Sequence, residues 1–131
     1  MPLSLSATTI NAVLASILNG TAFTPTGPLY VQLHTGDPGT AGTANVAGNS
    51  TRLSTGTMST PAAGQSTNNA AINWTAAQVT TSETYSYVSL WTAATGGTFV
   101  GAGTMTASAI AAGDLFSIAI GNLTVAIPTS T

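Results

Sequence analysis

Turn chemistry breaks this chain roughly every ten residues, and short runs of β-branched and aromatic residues lie between the breaks. Such spacing predicts a mainly β fold, an antiparallel β-sandwich or small jelly-roll-like barrel. Leu29, Val31 and Leu33 alternate with Tyr30, Gln32 and His34, the pattern of a half-buried strand. From Thr84 to Thr92 both faces carry large apolar groups, with Tyr85, Tyr87 and Trp91 expected on one side and Val88 and Leu90 on the other. A strand covered on both faces is central or lies at a subunit contact. Weaker strand signals cover Thr51 to Met58 and Ala70 to Trp74, and a further strand is expected from Phe99 to Thr106. Near the C-terminus Gly121-Asn122 separates Leu115–Ile120 from Leu123–Ile127, which predicts a two-residue hairpin. Thr35 to Asn49 reads as a long surface loop opened by the turn Gly36-Asp37-Pro38-Gly39.

One segment has a different period. Ile10, Val13, Leu14, Ile17 and Leu18 form a single apolar stripe at helical spacing. Ser6, Thr8 and Thr9 offer N-cap oxygens, and Gly20 suits the left-handed residue that ends a helix. The periodicity changes after Pro25 and Pro28. Residues 1–27 are therefore expected to be a helix with its lead-in, and residues 28–131 a β-sandwich domain, together one folding unit. A helix this short is marginal in water, so its stripe must dock. The domain's own sheet is the plainer expectation. The alternative is a subunit contact built from Leu14, Ile17 and Leu18 together with Tyr85, Tyr87 and Trp91.

Charge narrows function more than fold. Only 3% of residues are Asp, Glu, Lys or Arg, against about 25% in an ordinary domain. The ionic inventory is Asp37, Arg52, Glu83 and Asp114, with His34 beside them. One arginine cannot neutralise a phosphate backbone, so no nucleic-acid partner is expected, and attraction to anionic lipid fails for the same reason. No apolar run is long enough for a spanning helix, and no basic residue precedes Arg52 to start a secretory signal. Without self-repulsion, copies of such a chain associate readily. The expected partners are copies of itself, with a homotrimer as one form, and other proteins of the same assembly.

The same inventory leaves little chemistry. His34 and Asp37 stand three apart across a turn and could share a hydrogen bond, but the expected role of Asp37 is to cap that turn. A serine triad would need His34 as base, and no nucleophile-elbow motif accompanies it. Zinc would lack a third ligand, and there is no cysteine. Neither Gly96-Gly97 nor the Gly101/Gly103 pair opens a helix, so close strand packing or a bulge is expected there rather than a phosphate cradle. Trp74, Tyr85, Tyr87 and Trp91 read as core or interface before they read as a sugar platform. No catalytic residue, metal or cofactor is expected.

Several motifs in order carry a resemblance. They are Asn-x-x-Leu-x-x-Ile-Leu-x-Gly-Thr-x-Phe from Asn11 to Phe23 and Leu-Tyr-Val-x-Leu-His-Thr-Gly-Asp-Pro-Gly from Leu29 to Gly39. Leu-Trp-Thr-Ala-Ala-Thr-Gly-Gly-Thr-Phe follows from Leu90 to Phe99, then Gly-Asp-x-Phe from Gly113 and Gly-Asn-Leu-Thr-Val from Gly121. Together they resemble short virion proteins of tailed bacteriophages, labelled tail fibre, minor tail or head decoration proteins. The resemblance implies a non-catalytic virion component made in the cytoplasm of a bacterial host. The leading expectation is a capsid decoration subunit bound to major capsid protein, because a cement subunit hides surface that an exposed fibre must keep dispersed with charge; the alternative is a tail fibre or minor tail protein with a glycan-binding face. Residues 40 to 70 depart from the pattern, being poorer in aromatic and charged groups.

Overall fold

The computed structural model describes residues 1–24 and 27–130; Pro25, Thr26 and Thr131 lie outside the described residues. The elements in order are β1 (Pro2–Leu5), α1 (Ala7–Asn19), β2 (Tyr30–His34), β3 (Leu53–Ser54), β4 (Gln65–Thr67), β5 (Ile72–Trp74), β6 (Glu83–Trp91), β7 (Phe99–Ile110), β8 (Phe116–Ile118) and β9 (Thr124–Ala126). Seven strands form one sheet in the order β3-β2-β6-β7-β1-β9-β4, and β5 pairs with β8 in a second. The fold is mainly β with one N-terminal helix, as the turn spacing predicts. One pairing departs from the antiparallel expectation: β1 runs parallel to β9, Leu3 opposite Val125.

Between the sheets lies the core. Trp74 of β5 and Phe116 of β8 meet at 5.7 Å between ring centroids, and Phe116 meets Tyr85 of β6 edge-on at 5.0 Å. Edge-to-face contact suits ring quadrupoles, so this trio ties the small sheet to the large one. Leu3, Val31, Leu33, Val88 and Leu90 fill the rest from the large sheet. β6 lies between β2 and β7, which is the central position that its two apolar faces predict. The expected alternation along it fails at one end. Two residue steps on β6 are matched by four on β7, Tyr85 standing opposite Ser108 and Tyr87 opposite Thr104. Across that irregularity Tyr85 joins Val88 and Leu90 in the core instead of sharing a face with Trp91.

β2 is buried on both faces, not one: Val31 and Leu33 enter the core, while Gln32 meets Arg52 and His34 meets Ser89 and the Ala44 carbonyl. The loop that follows β2 is held more tightly than a free surface loop. Thr35 N donates to Asn45 O at 2.9 Å and Ala47 N to Leu33 O at 3.0 Å, so residues 45–47 run back along the end of β2. The expected C-terminal hairpin does not form. β8 pairs with β5, whereas β9 pairs with β1 and β4 in the other sheet. The Gly121-Asn122 turn exists, but it passes the chain between layers. Asn68, buried, organises it: its Nδ2 donates to Ala70 O and Ala119 O, and its Oδ1 accepts from Leu123 N. Two strands, β1 and β4, arise where no strand pattern was read.

Close approach explains two of the glycines. Gly101 and Gly103 face β1, and a Cβ on Gly103 would stand 2.9 Å from Leu3 Cα and press on Pro2 O. Only glycine lets the N-terminal strand lie this near. The expectation of close strand packing there holds.

Candidate functional site

Two places merit a functional reading: the buried polar group around His34, and the outer face of α1.

His34 Nε2 lies 2.7 Å from Ser89 Oγ, and its Nδ1 lies 2.8 Å from Ala44 O. A carbonyl only accepts, so Nδ1 carries the proton and Nε2 accepts from the serine hydroxyl. Ser89 Oγ in turn accepts from Trp91 Nε1 at 2.8 Å. A serine beside a histidine base has the composition of a nucleophilic pair. Here the two residues have no solvent exposure at all, and the atom that would orient the base is a backbone oxygen. Burial lowers the His34 pKa below its ordinary value, and the Ala44 and Asn45 backbone bonds oppose that only in part. The arrangement fixes β2, β6 and the 44–47 segment together, and a reacting molecule has no way in. Asp37 takes no part: its Oδ1 accepts from Gly39 N at 2.8 Å, the turn cap expected of it. Among the described residues no group of three or more His, Cys, Asp or Glu side chains could hold a metal ion.

Glu83 and Arg52, the other charged residues near this layer, are also spent on backbone. Glu83 accepts from Gly48 N and Asn49 N at 2.9 and 3.1 Å. Arg52 donates to Ala93 O and Gly96 O at 3.1 and 2.6 Å while its guanidinium lies 3.9 Å from the centre of the Trp91 ring. Next to Glu83, Tyr85 Oη and the Asn49 side-chain amide are buried with no hydrogen-bond partner. Burial raises the Tyr85 pKa, and the Glu83 charge adds to the rise. The Asn49 dipole acts in the opposite sense, although its geometry falls short of a hydrogen bond.

α1 is capped as predicted. Ser6 accepts from Thr9 N at 3.2 Å, and Gly20 closes the helix at φ 66°. Its mounting differs from the expectation that the stripe docks on the chain's own sheet. Ser6 N, Ser6 Oγ and Thr9 Oγ1 donate to Val100 O, Phe99 O and Val100 O, all on β7. These bonds turn the side bearing Thr9, Val13 and Ser16 partly inward and leave the other four residues of the stripe, Ile10, Leu14, Ile17 and Leu18, outward. Ile10 and Leu14 are 43% and 45% exposed, Ile17 and Leu18 both 72%, and no residue of the helix is buried.

The six residues assigned to a subunit contact are therefore split. Leu14, Ile17 and Leu18 come together on the open face of α1. Tyr85 is wholly inside, Trp91 is 7% exposed beneath Arg52 and beside Phe99, and Tyr87 is half-buried. Tyr85 and Trp91 offer no surface to a neighbour because their rings complete this chain's own layers. Asn68 and Ser89, which organise the buried polar contacts, carry no signal in the sequence beyond being polar residues near strands.

A protein-family model described as podophage GP4 fiber I protein gp80 matches residues 4–126. The chain belongs to this family. The match runs from within β1 to the last residue of β9, so apart from Pro2 and Leu3 every strand of both sheets lies within the gp80 family region. The resemblance to phage virion structural proteins stands on that match. No curated protein matches the chain. Among the described residues no helix is long and apolar enough to cross a membrane.

Proposed function

We propose that this chain is a non-enzymatic structural subunit of a phage fibre, held in the virion by contacts with copies of itself and with other virion proteins. The family match across residues 4–126, whose description names a fibre protein, is the observation that carries this reading. Two features of the molecule agree with it. Its charged groups are spent on internal backbone contacts, and its largest exposed apolar side chains include a continuous helical face.

The head-decoration reading rests on shortage of charge alone, which suits a fibre subunit equally. Of the four aromatics weighed as a sugar platform, Trp74, Tyr85 and Trp91 are covered within the chain and Tyr87 is half-buried, which leaves no exposed cluster of rings for a glycan.

Immunogold labelling of intact particles, with copy counting by quantitative mass spectrometry, tests the proposal. Label confined to fibres or to the tail region is expected. Label spread over the head would replace the fibre reading with decoration, and absence from purified particles would overturn a virion role altogether.

A further inference from the structure

We propose that the outer face of α1 is a self-association surface, on which Ile10, Leu14, Ile17 and Leu18 pack against the same face of a second copy. The inference rests on the structural-subunit reading and names the partner. Among the described residues α1 is hydrogen-bonded to the sheet at its first turn, through Ser6 and Thr9, and exposure along its outer face rises from Ile10 toward Leu18. Thirteen residues are too few for a stable helix in water unless a face is covered, and the inward side of α1 is only partly covered.

Area and charge point to a second copy as that cover. The four side chains together expose the equivalent of more than two complete residues, on the order of 400 Å² of apolar surface, the size of the largest patch on an ordinary monomer and often a functional one. That is close to the roughly 450 Å² of nonpolar area that each partner brings to a standard interface. Placing identical faces together is costly when they bear charge. α1 bears none, from Ala7 to Asn19. The sheet offers a poorer route to self-association, because its edge strands β3 and β4 have two and three residues.

The test is the molar mass of the purified full chain by light scattering and sedimentation, for the natural sequence and for Ile17→Lys with Leu18→Lys. Lysine keeps helix propensity and suits the C-terminal end of the helix dipole, so the variant changes the face without breaking the helix. Near-ultraviolet circular dichroism of buried Trp74 and Trp91 reports whether the core is intact. The natural chain is expected to run at two or more chain masses in low and high salt alike, and the folded double variant at one. Leu115→Lys, at an exposed residue outside α1, should keep the natural mass. A natural chain that stays single at micromolar concentration overturns the inference, as does a double variant of unchanged mass. If the natural chain is single but the double variant drops out of particles, the face docks on a different virion protein, and self-association is wrong while the virion role stands. A self-associating chain absent from particles gives the converse result.

Discussion

His34 and Ser89 are joined at 2.7 Å across the β2–β6 pair, with neither residue reached by solvent. The bond holds one tautomer of a neutral imidazole, because Nδ1–H donates to Ala44 O and Ser89 already accepts from Trp91. Protonating Nε2 would remove its acceptor role and strand the serine hydroxyl hydrogen.

Acid should therefore destabilise the protein through His34. Burial holds its folded pKa below the ordinary value. The unfolded chain takes up a proton near pH ~6.5, where the folded chain does not. This contribution to stability is fully present above pH ~6.5 and is lost as pH falls through the lower folded value. Thermal melts between neutral and mildly acidic pH should show a falling Tm, and His34→Gln should flatten that fall. An equal slope in the variant would remove His34 as the cause. Ser89→Ala at neutral pH should cost on the order of 3 kcal/mol, since it leaves His34 Nε2 and Trp91 Nε1 buried and unpaired.

Gly103→Val should loosen the N-terminal strand. The new Cβ would meet Leu3 Cα and Pro2 O, which belong to a backbone already paired on both sides. We expect a loss of roughly 3 kcal/mol or more in urea unfolding, since β1 cannot move without breaking its pairings with β7 and β9. Hydrogen exchange of the amides from Leu3 to Leu5 should quicken more than that of β2. Uniform exchange across the sheet would show that β1 is not where the strain falls.

Arg52→Met should lower stability by about 1–2 kcal/mol, with little dependence on ionic strength. Its acceptors, Ala93 O, Gly96 O and Gln32 Oε1, are neutral, and its stacking partner is the Trp91 ring. Arg52→Lys should restore only part of the loss, because an ammonium cannot reach both carbonyls while lying flat on the ring. Urea midpoints at low and molar salt measure both effects. A loss that disappears at high salt would mean that the arginine acts as a simple surface charge.

Legibility followed the range of each interaction. The helix from Ala7 to Asn19 was readable because its stripe, the Ser6 cap and Gly20 act within a few residues of one another. β2 and β6 were readable because alternating apolar groups need no partner to be seen. β1 was not, since four residues beginning with Pro2 become a strand only because two glycines on β7 let them approach. The C-terminal turn was legible as a turn and misread as a hairpin, because the strands on either side find partners in different sheets.

The chain's own composition determined that it would be β-rich, almost without charge and poorly equipped for acid–base chemistry, because those properties belong to residue types and short-range spacing. Which aromatic rings would be hidden, and which way the helix would turn its apolar side, only the tertiary structure decided. The irregularity opposite Tyr85 and the bonds from Ser6 and Thr9 to β7 join residues distant in sequence. No local pattern encodes which of two faces such contacts will cover.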